Sequence, residues 1–120
     1  VESARKYWLE WNLIYYKDKH QDVGKLLKKM IEEHSGAVWA DTMRGNYPRT
    51  SDLEHVHKMT VPTFLIAGER DKIFVPLAEE LHKRIRGSKL VIMKGAGHIL
   101  NLEYPQEFNK ELNSFLEKCS

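Results

Sequence analysis

Two residues of this sequence are of types, and stand at places, that could share a proton. Asp71 closes the run Gly68-Glu69-Arg70-Asp71, and His98 closes the run Gly95-Ala96-Gly97-His98. Each run follows a short apolar stretch. In an open parallel sheet, polar sites gather beyond the carboxyl ends of the strands. Neighbouring strands lie about 5 Å apart across the ladder, and a right-handed crossover leaves both turns on the same edge of the sheet. A carboxylate and an imidazole placed there can meet. The carboxylate would hold one ring nitrogen, fix the tautomer and stabilise the imidazolium. The other nitrogen would take a proton from a nucleophile. Glycines ahead of each residue let the backbone turn sharply. Glu69, earlier in the same turn, is the alternative acid. The plainer readings are a turn aspartate and a loop histidine that caps the helix after it.

The elements that must position this pair follow from the hydrophobic pattern. Val61-Pro62-Thr63-Phe64-Leu65-Ile66-Ala67 is a short, continuous apolar run bounded by Gly68. That is the pattern of a strand covered on both faces. Pro76, Leu77, Leu81 and Ile85 read as a helix ending before Gly87. Lys89-Leu90-Val91-Ile92-Met93 reads as a second strand, with Gly95-Ala96-Gly97 as the turn after it. Pro105 suits a first helical position, and Phe108, Leu112, Phe115 and Leu116 give the last helix its apolar stripe. The series is a βαβ unit plus one more helix.

The front of the chain is helical instead. Ala4, Trp8, Trp11 and Tyr15 recur at helical steps, which predicts an amphipathic helix over residues 2–18. Asp22 is placed to cap a second helix with Val23, Leu26, Leu27, Met30 and Ile31 on its inner face. A third short helix is expected over residues 37–43, then a loop at Gly45, Asn46 and Pro48. Ser51 and Glu54 have capping-box spacing, which predicts a short helix over residues 52–58.

Composition narrows the function classes. The 120 residues are 42% hydrophobic and 30% charged, as in a soluble globular protein. The net charge of +2 is spread among mixed signs and makes no electrostatic case for nucleic acid or an anionic membrane. Lys25, Lys28 and Lys29 are followed by Glu32 and Glu33, the wet face of a helix. No window approaches the roughly 18 apolar residues of a membrane span, and no signal-peptide pattern opens the chain. The lone cysteine, Cys119, forms no intrachain disulfide and suits a reducing cytoplasm. His55 and His57 form a His-x-His pair, but residues two apart on a helix point to different sides. No Cys or carboxylate motif completes a metal site there. His20, His34 and His82 fall on helix surfaces or ends. Met30 and Met93 read as core filling, and Trp8, Trp11, Tyr15 and Trp39 as either a pocket lining or helix packing.

These motifs, in this order, resemble the C-terminal part of the α/β-hydrolases. Residues 61–71 are similar to the acid-bearing strand and turn of that family, and Val75-Pro76 to the start of its next helix. Gly95-Ala96-Gly97-His98 is similar to its histidine loop, and Glu103-Tyr104-Pro105 with Phe108 to the start of its final helix. The resemblance covers residues 50–118. It implies an α/β fold in which residues 46–120 form the βαβα portion of a parallel sheet. Residues 1–45 would be the end of a helical lid and the helix returning to the sheet. It implies Asp71 as triad acid, His98 as triad base and no cofactor.

One part of the family's pattern is missing. The nucleophile belongs on a Gly-x-Ser-x-Gly elbow upstream of acid and base, and none of Ser3, Ser35, Ser51, Ser88, Ser114 and Ser120 has that setting. The chain also starts with Val1 rather than Met. We therefore expect it to begin partway through a longer protein, to be inactive alone, and to pair with its missing half, dimerise or swap. Two functions follow as expectations. One is a hydrolase for a small carboxylic ester, lactone or related acyl group, with C–C hydrolysis, perhydrolysis or dehalogenation as variants the resemblance allows. The other is a non-catalytic interaction protein on the same fold.

Overall fold

The computed structural model describes residues 1–37 and 52–119. The chain divides into two compact units, Val1–Arg49 and Thr50–Ser120. The third helix expected over residues 37–43, the loop at Gly45, Trp39 and the Ser51 cap lie in or reach into 38–51, outside the described residues.

The first unit pairs helix α1 (Glu2–Tyr16) with helix α2 (Gln21–Glu33). The face that α1 buries is not the aromatic stripe. Among the described side chains of α1, Asn12 and Tyr16 are the buried ones, at 3% and 4% exposure, whereas Trp8 is 41% exposed. The reason is Gly24 in α2. A Cβ there would sit 2.7 Å from the Tyr16 Cβ, so the helices cross where α2 has no side chain. The Asn12 side-chain amide donates to the Gly24 carbonyl at 2.8 Å. The aromatic rings instead pack along α1, with Trp11 stacked on Tyr15 at 4.8 Å.

Helix α2 also departs from expectation at its start and on its face. His20, not Asp22, precedes its first turn, in a left-handed conformation (φ 52°), and no side chain caps it. Of the expected inner face only Val23 is fully buried; Leu26 and Met30 are 45% and 54% exposed. Lys28–Glu32 and Lys29–Glu33 are exposed pairs one helical turn apart, at 3.8 Å. His34 ends α2: its carbonyl accepts from Arg5 at 2.9 Å and its Nδ1 from the Gly36 N–H at 2.9 Å.

The second unit opens with two 3-10 turns, Asp52–Glu54 and Val56–Lys58, in place of one α-helix. The bonds Lys58 N–H to His55 O and Met59 N–H to Val56 O have three-residue spacing. Strands β1 (Phe64–Gly68) and β2 (Lys89–Met93) then pair in parallel, Phe64 opposite Lys89 and Gly68 opposite Met93. Strand β1 starts three residues later than the apolar run. Pro62 has no N–H to give to a ladder, and Val61 is 61% exposed.

Helix α3 (Phe74–Arg84) joins the strands and packs on both. His82 on α3 lies 2.8 Å from the Ser88 hydroxyl through Nδ1, which closes the turn into β2. Helix α4 (Leu100–Glu103), a single turn absent from the sequence reading, precedes α5 (Pro105–Leu116). Phe115 of α5 stacks on Phe64 at 5.2 Å, and Glu111 of α5 pairs with Lys89 at 2.9 Å. Ala67, Ile85, Met93 and Ala96 form the buried core of this unit.

The turn glycines do different jobs. Gly95 has φ +72°, which L side chains rarely adopt. Gly68 does not; its role is space. A Cβ on it would run into the carbonyl oxygen of Gly97 and lie 2.5 Å from that of Ala96. The end of β1 and the turn after β2 therefore touch backbone to backbone. Gly68→Ala should cost roughly 3 kcal/mol of stability, because only backbone can give way. Gly87→Ala, at φ +77° with nothing within 4 Å of a new Cβ, should cost only about 1 kcal/mol. Urea denaturation of the two variants checks this, and the opposite ranking would show that Gly68 is not sterically required.

Candidate active site

The two turns are laced together along their whole length. The Glu69 N–H donates to the Met93 carbonyl and the Arg70 N–H to the Ala96 carbonyl, both at 2.9 Å. The Glu69 side chain accepts from the Gly95 N–H at 2.8 Å. These bonds carry the parallel ladder past the strand ends and bring Asp71 and His98 into contact. His98 Nδ1 lies 2.6 Å from Asp71 Oδ2. Glu69, the alternative acid, is engaged with the Gly95 backbone instead.

Asp71 is held on both carboxylate oxygens. Its Oδ1 accepts from the Ile73 and Phe74 N–H groups at 3.3 and 3.1 Å. Those are amides at the start of α3, where helix geometry leaves N–H groups without partners. The residue is 7% exposed. Burial pushes its carboxyl up, but the His98 and Phe74 hydrogen bonds, the His98 charge and the Ile73 amide together outweigh that. The carboxyl is held below its ordinary value.

The ionic state of Asp71 decides the tautomer of His98. An ionised carboxylate only accepts hydrogen bonds, so Nδ1 must be the protonated nitrogen. The lone pair of the neutral ring is then on Nε2. The imidazole side chain is 44% exposed. Phe74 packs against it with ring centroids 4.9 Å apart. Phe74 thus touches both members of the pair, through its amide and its ring. Nothing in the sequence singled it out, because its position depends on where α3 begins.

The sequence reading also missed what holds the histidine turn from behind. Glu103, the last residue of α4, is 6% exposed and accepts from the Gly97 N–H at 2.6 Å. The signals available were its place five residues after His98 and its presence in the Glu103-Tyr104-Pro105 stretch, which was read only as the start of the last helix. His55 and His57 are both exposed. Among the described residues, no group of three or more His, Cys, Asp or Glu side chains is placed to hold a metal ion. No described helix is long and apolar enough to cross a membrane.

The profile of the alpha/beta hydrolase family matches residues 5–111. The chain belongs to that family. Among curated alpha/beta hydrolase relatives, it is 27% identical over 114 residues to the pimeloyl-[acyl-carrier protein] methyl ester esterase of Neisseria meningitidis. That match covers 93% of this chain and 36% of the esterase. It is 35% identical over 75 residues to the putative 2-succinyl-6-hydroxy-2,4-cyclohexadiene-1-carboxylate synthase of Bacillus subtilis, covering 62% of this chain and 27% of that one. The solved structure of MenH from S. aureus overlays 92% of this chain with a TM-score of 0.77 at 23% identity, and the chain covers 41% of it. The chain thus spans about a third of the length of the curated relatives it matches, and its fold is that of part of an α/β-hydrolase.

The lowered carboxyl of Asp71 makes stability depend on pH. A carboxyl that gives up its proton more readily when folded stabilises the fold above its unfolded value, about 3.9. That contribution is lost as pH falls through the lower folded value. Asp71→Asn should therefore be less stable than wild type at pH 7, with the gap narrowing below about pH 4. A urea-unfolding gap that stays constant from neutral pH into strong acid would contradict this.

Proposed function

We propose that this chain is the acid- and base-bearing portion of a hydrolase that acts on a small carboxylic ester or related acyl substrate. The observation that carries the reading is the 2.6 Å contact between His98 Nδ1 and Asp71 Oδ2 beyond the carboxyl ends of paired parallel strands. In the proposed cycle, His98 Nε2 takes the proton of a serine hydroxyl supplied by polypeptide outside these 120 residues, as that oxygen attacks the carbonyl carbon. The imidazolium, stabilised by Asp71, returns the proton to the leaving alcohol. Water then repeats the sequence on the acyl-enzyme, with His98 again as base. A matching esterase and the absence of a Gly-x-Ser-x-Gly elbow support this division of labour. Residues 1–45 are proposed as lid end and return helix. The lone cysteine, exposed at Cys119, suits a reducing cytoplasm.

The same reading accounts for surfaces this chain leaves open. Among the described residues β1 pairs with β2 alone, and two-stranded sheets are marginal in water. Leu65, Ile66, Phe74 and Leu77 line an apolar groove over β1. We propose that the nucleophile-bearing portion of the fold covers this groove and continues the sheet. Without it, a second copy would do so by dimerising or swapping, and light scattering of the purified chain should report a dimer or larger species. A monodisperse monomer would count against it.

The catalytic reading is tested in the protein that unites this chain with its nucleophile. His98→Ala should lower kcat for a small nitrophenyl ester by about 10⁶-fold and abolish labelling by a fluorophosphonate. The 120-residue chain alone should hydrolyse the ester no faster than buffer. Turnover by the chain alone that disappears in His98→Ala would place the nucleophile within it and sink the proposal.

A further inference from the structure

Among the described residues of this unit, the buried charged residues are Glu103 and Asp71, at 6% and 7% exposure. A buried carboxylate persists only where hydrogen bonds replace the water it lost. The short bond from the Gly97 N–H supplies one, at 2.6 Å. It is of the charge-assisted kind, stronger than a bond between neutral groups. It also closes a loop. The Leu102 and Glu103 N–H groups both return to the Ile99 carbonyl at 3.0 Å, and the Tyr104 N–H to that of Leu100 at 2.9 Å. The chain leaves Gly97, makes one helical turn and comes back to the same residue. His98 is the first residue inside the loop.

Gly97 is therefore gripped on both sides. Its N–H is held by Glu103, and its carbonyl lies against the Cα of Gly68, where no side chain would fit. Glycine has the widest backbone freedom of any residue, so an ungripped Gly97 would let the His98 Cα swing. The bond to Asp71 tolerates little of that, since hydrogen bonds weaken steeply as distance and angle depart from the optimum. Glu69 holds the neighbouring Gly95 N–H in the same way, but it is exposed and competes with water.

We propose that Glu103 is a positioning residue for His98. It fixes the peptide ahead of the imidazole so that Nδ1 stays on Asp71 and Nε2 keeps its lone pair. Its bearing on catalysis rests on the proposed role of His98 as general base; its bearing on ring geometry does not.

Two variants separate the bond from the charge. Glu103→Gln keeps an acceptor oxygen at full reach and loses the charge. Glu103→Asp keeps the charge and falls one methylene short. Nitrogen-15 NMR of the 120-residue chain reads the Gly97 amide and the two His98 ring nitrogens, whose shifts report which one carries the proton. In wild type and Glu103→Gln we expect a slowly exchanging Gly97 amide and a ring protonated at Nδ1. In Glu103→Asp and Glu103→Ala the amide should exchange faster, and the ring should become a mixture of tautomers. In the complete enzyme the same two variants should lose about ten- to a hundredfold in kcat with KM little changed, and Glu103→Gln should retain most of it.

If Glu103→Ala or Glu103→Asp frees the Gly97 amide yet leaves the His98 tautomer and kcat at wild-type values, Glu103 is only a structural brace and the inference is wrong. If Glu103→Ala does not fold, the other two variants decide; a Gln variant more perturbed than the Asp variant would mean that charge acts rather than the bond, and also overturns it. A wrong catalytic reading shows itself differently, as activity that survives His98→Ala while the ring spectra behave as described.

Discussion

The parallel register of β1 and β2 is the constraint on which the rest of the second unit depends. Pairing Gly68 with Met93 places two turns side by side that are 27 residues apart in sequence. The ladder does not stop where the strands do, because Glu69 and Arg70 continue it to Met93 and Ala96. A shift of register would move Asp71 along β2 by about 3.3 Å per residue. That is more than the whole length of its bond to His98. The contact of Gly68 with the Ala96–Gly97 backbone resists such a shift, since any other register would put a bulkier residue against that turn.

Three carboxylates surround the histidine turn, and their partners divide the work. Glu69 and Glu103 accept from backbone N–H groups on either side of Ala96; Asp71 alone meets the imidazole. Asp71 is suited to this because it is both buried and fed by two amides from the start of α3. Those amides stabilise its charge without neutralising it, so the carboxylate remains free to accept from the ring. A lysine or arginine in their place would compete with His98 for the same oxygens. His98 and the amides of α3 together hold the acid in its ionic state, while β2 and α4 set where the ring stands.

What could be read from the sequence was whatever depends on local pattern. Strand β2 was legible because the apolar run Leu90-Val91-Ile92-Met93 is bounded by Lys89 and Lys94, and Pro105 marked the start of α5. The meeting of Asp71 and His98 was legible because each follows a strand and its turn on the same edge of a parallel sheet. Strand β1 was overextended, since hydrophobicity continues through Pro62 where hydrogen bonding cannot. The front helices failed differently. Counting apolar residues on α1 selected Trp8 and its neighbours, but the close approach at Gly24 turned Asn12 and Tyr16 inward. A glycine's worth to a partner helix lies in the partner, and no periodicity within one helix reports it. The role of Glu103 was hidden for the same reason, because its meaning comes from an amide six residues back across a turn that the pattern did not resolve.

The exposed apolar surface has a bearing on the site itself. Ile73, Phe74 and Leu77 are 71%, 48% and 42% exposed, and they sit at the start of the helix whose amides bond to Asp71. A hydrogen bond between an acid and a ring is weakened by competing water and strengthened where water is excluded. Covering this patch would therefore do more than hide apolar area. It would dry the surroundings of Phe74 and His98 and sharpen the electrostatic grip of Asp71 on the imidazole. On this argument the geometry of the pair is set within this chain, whereas its full strength depends on what packs against α3.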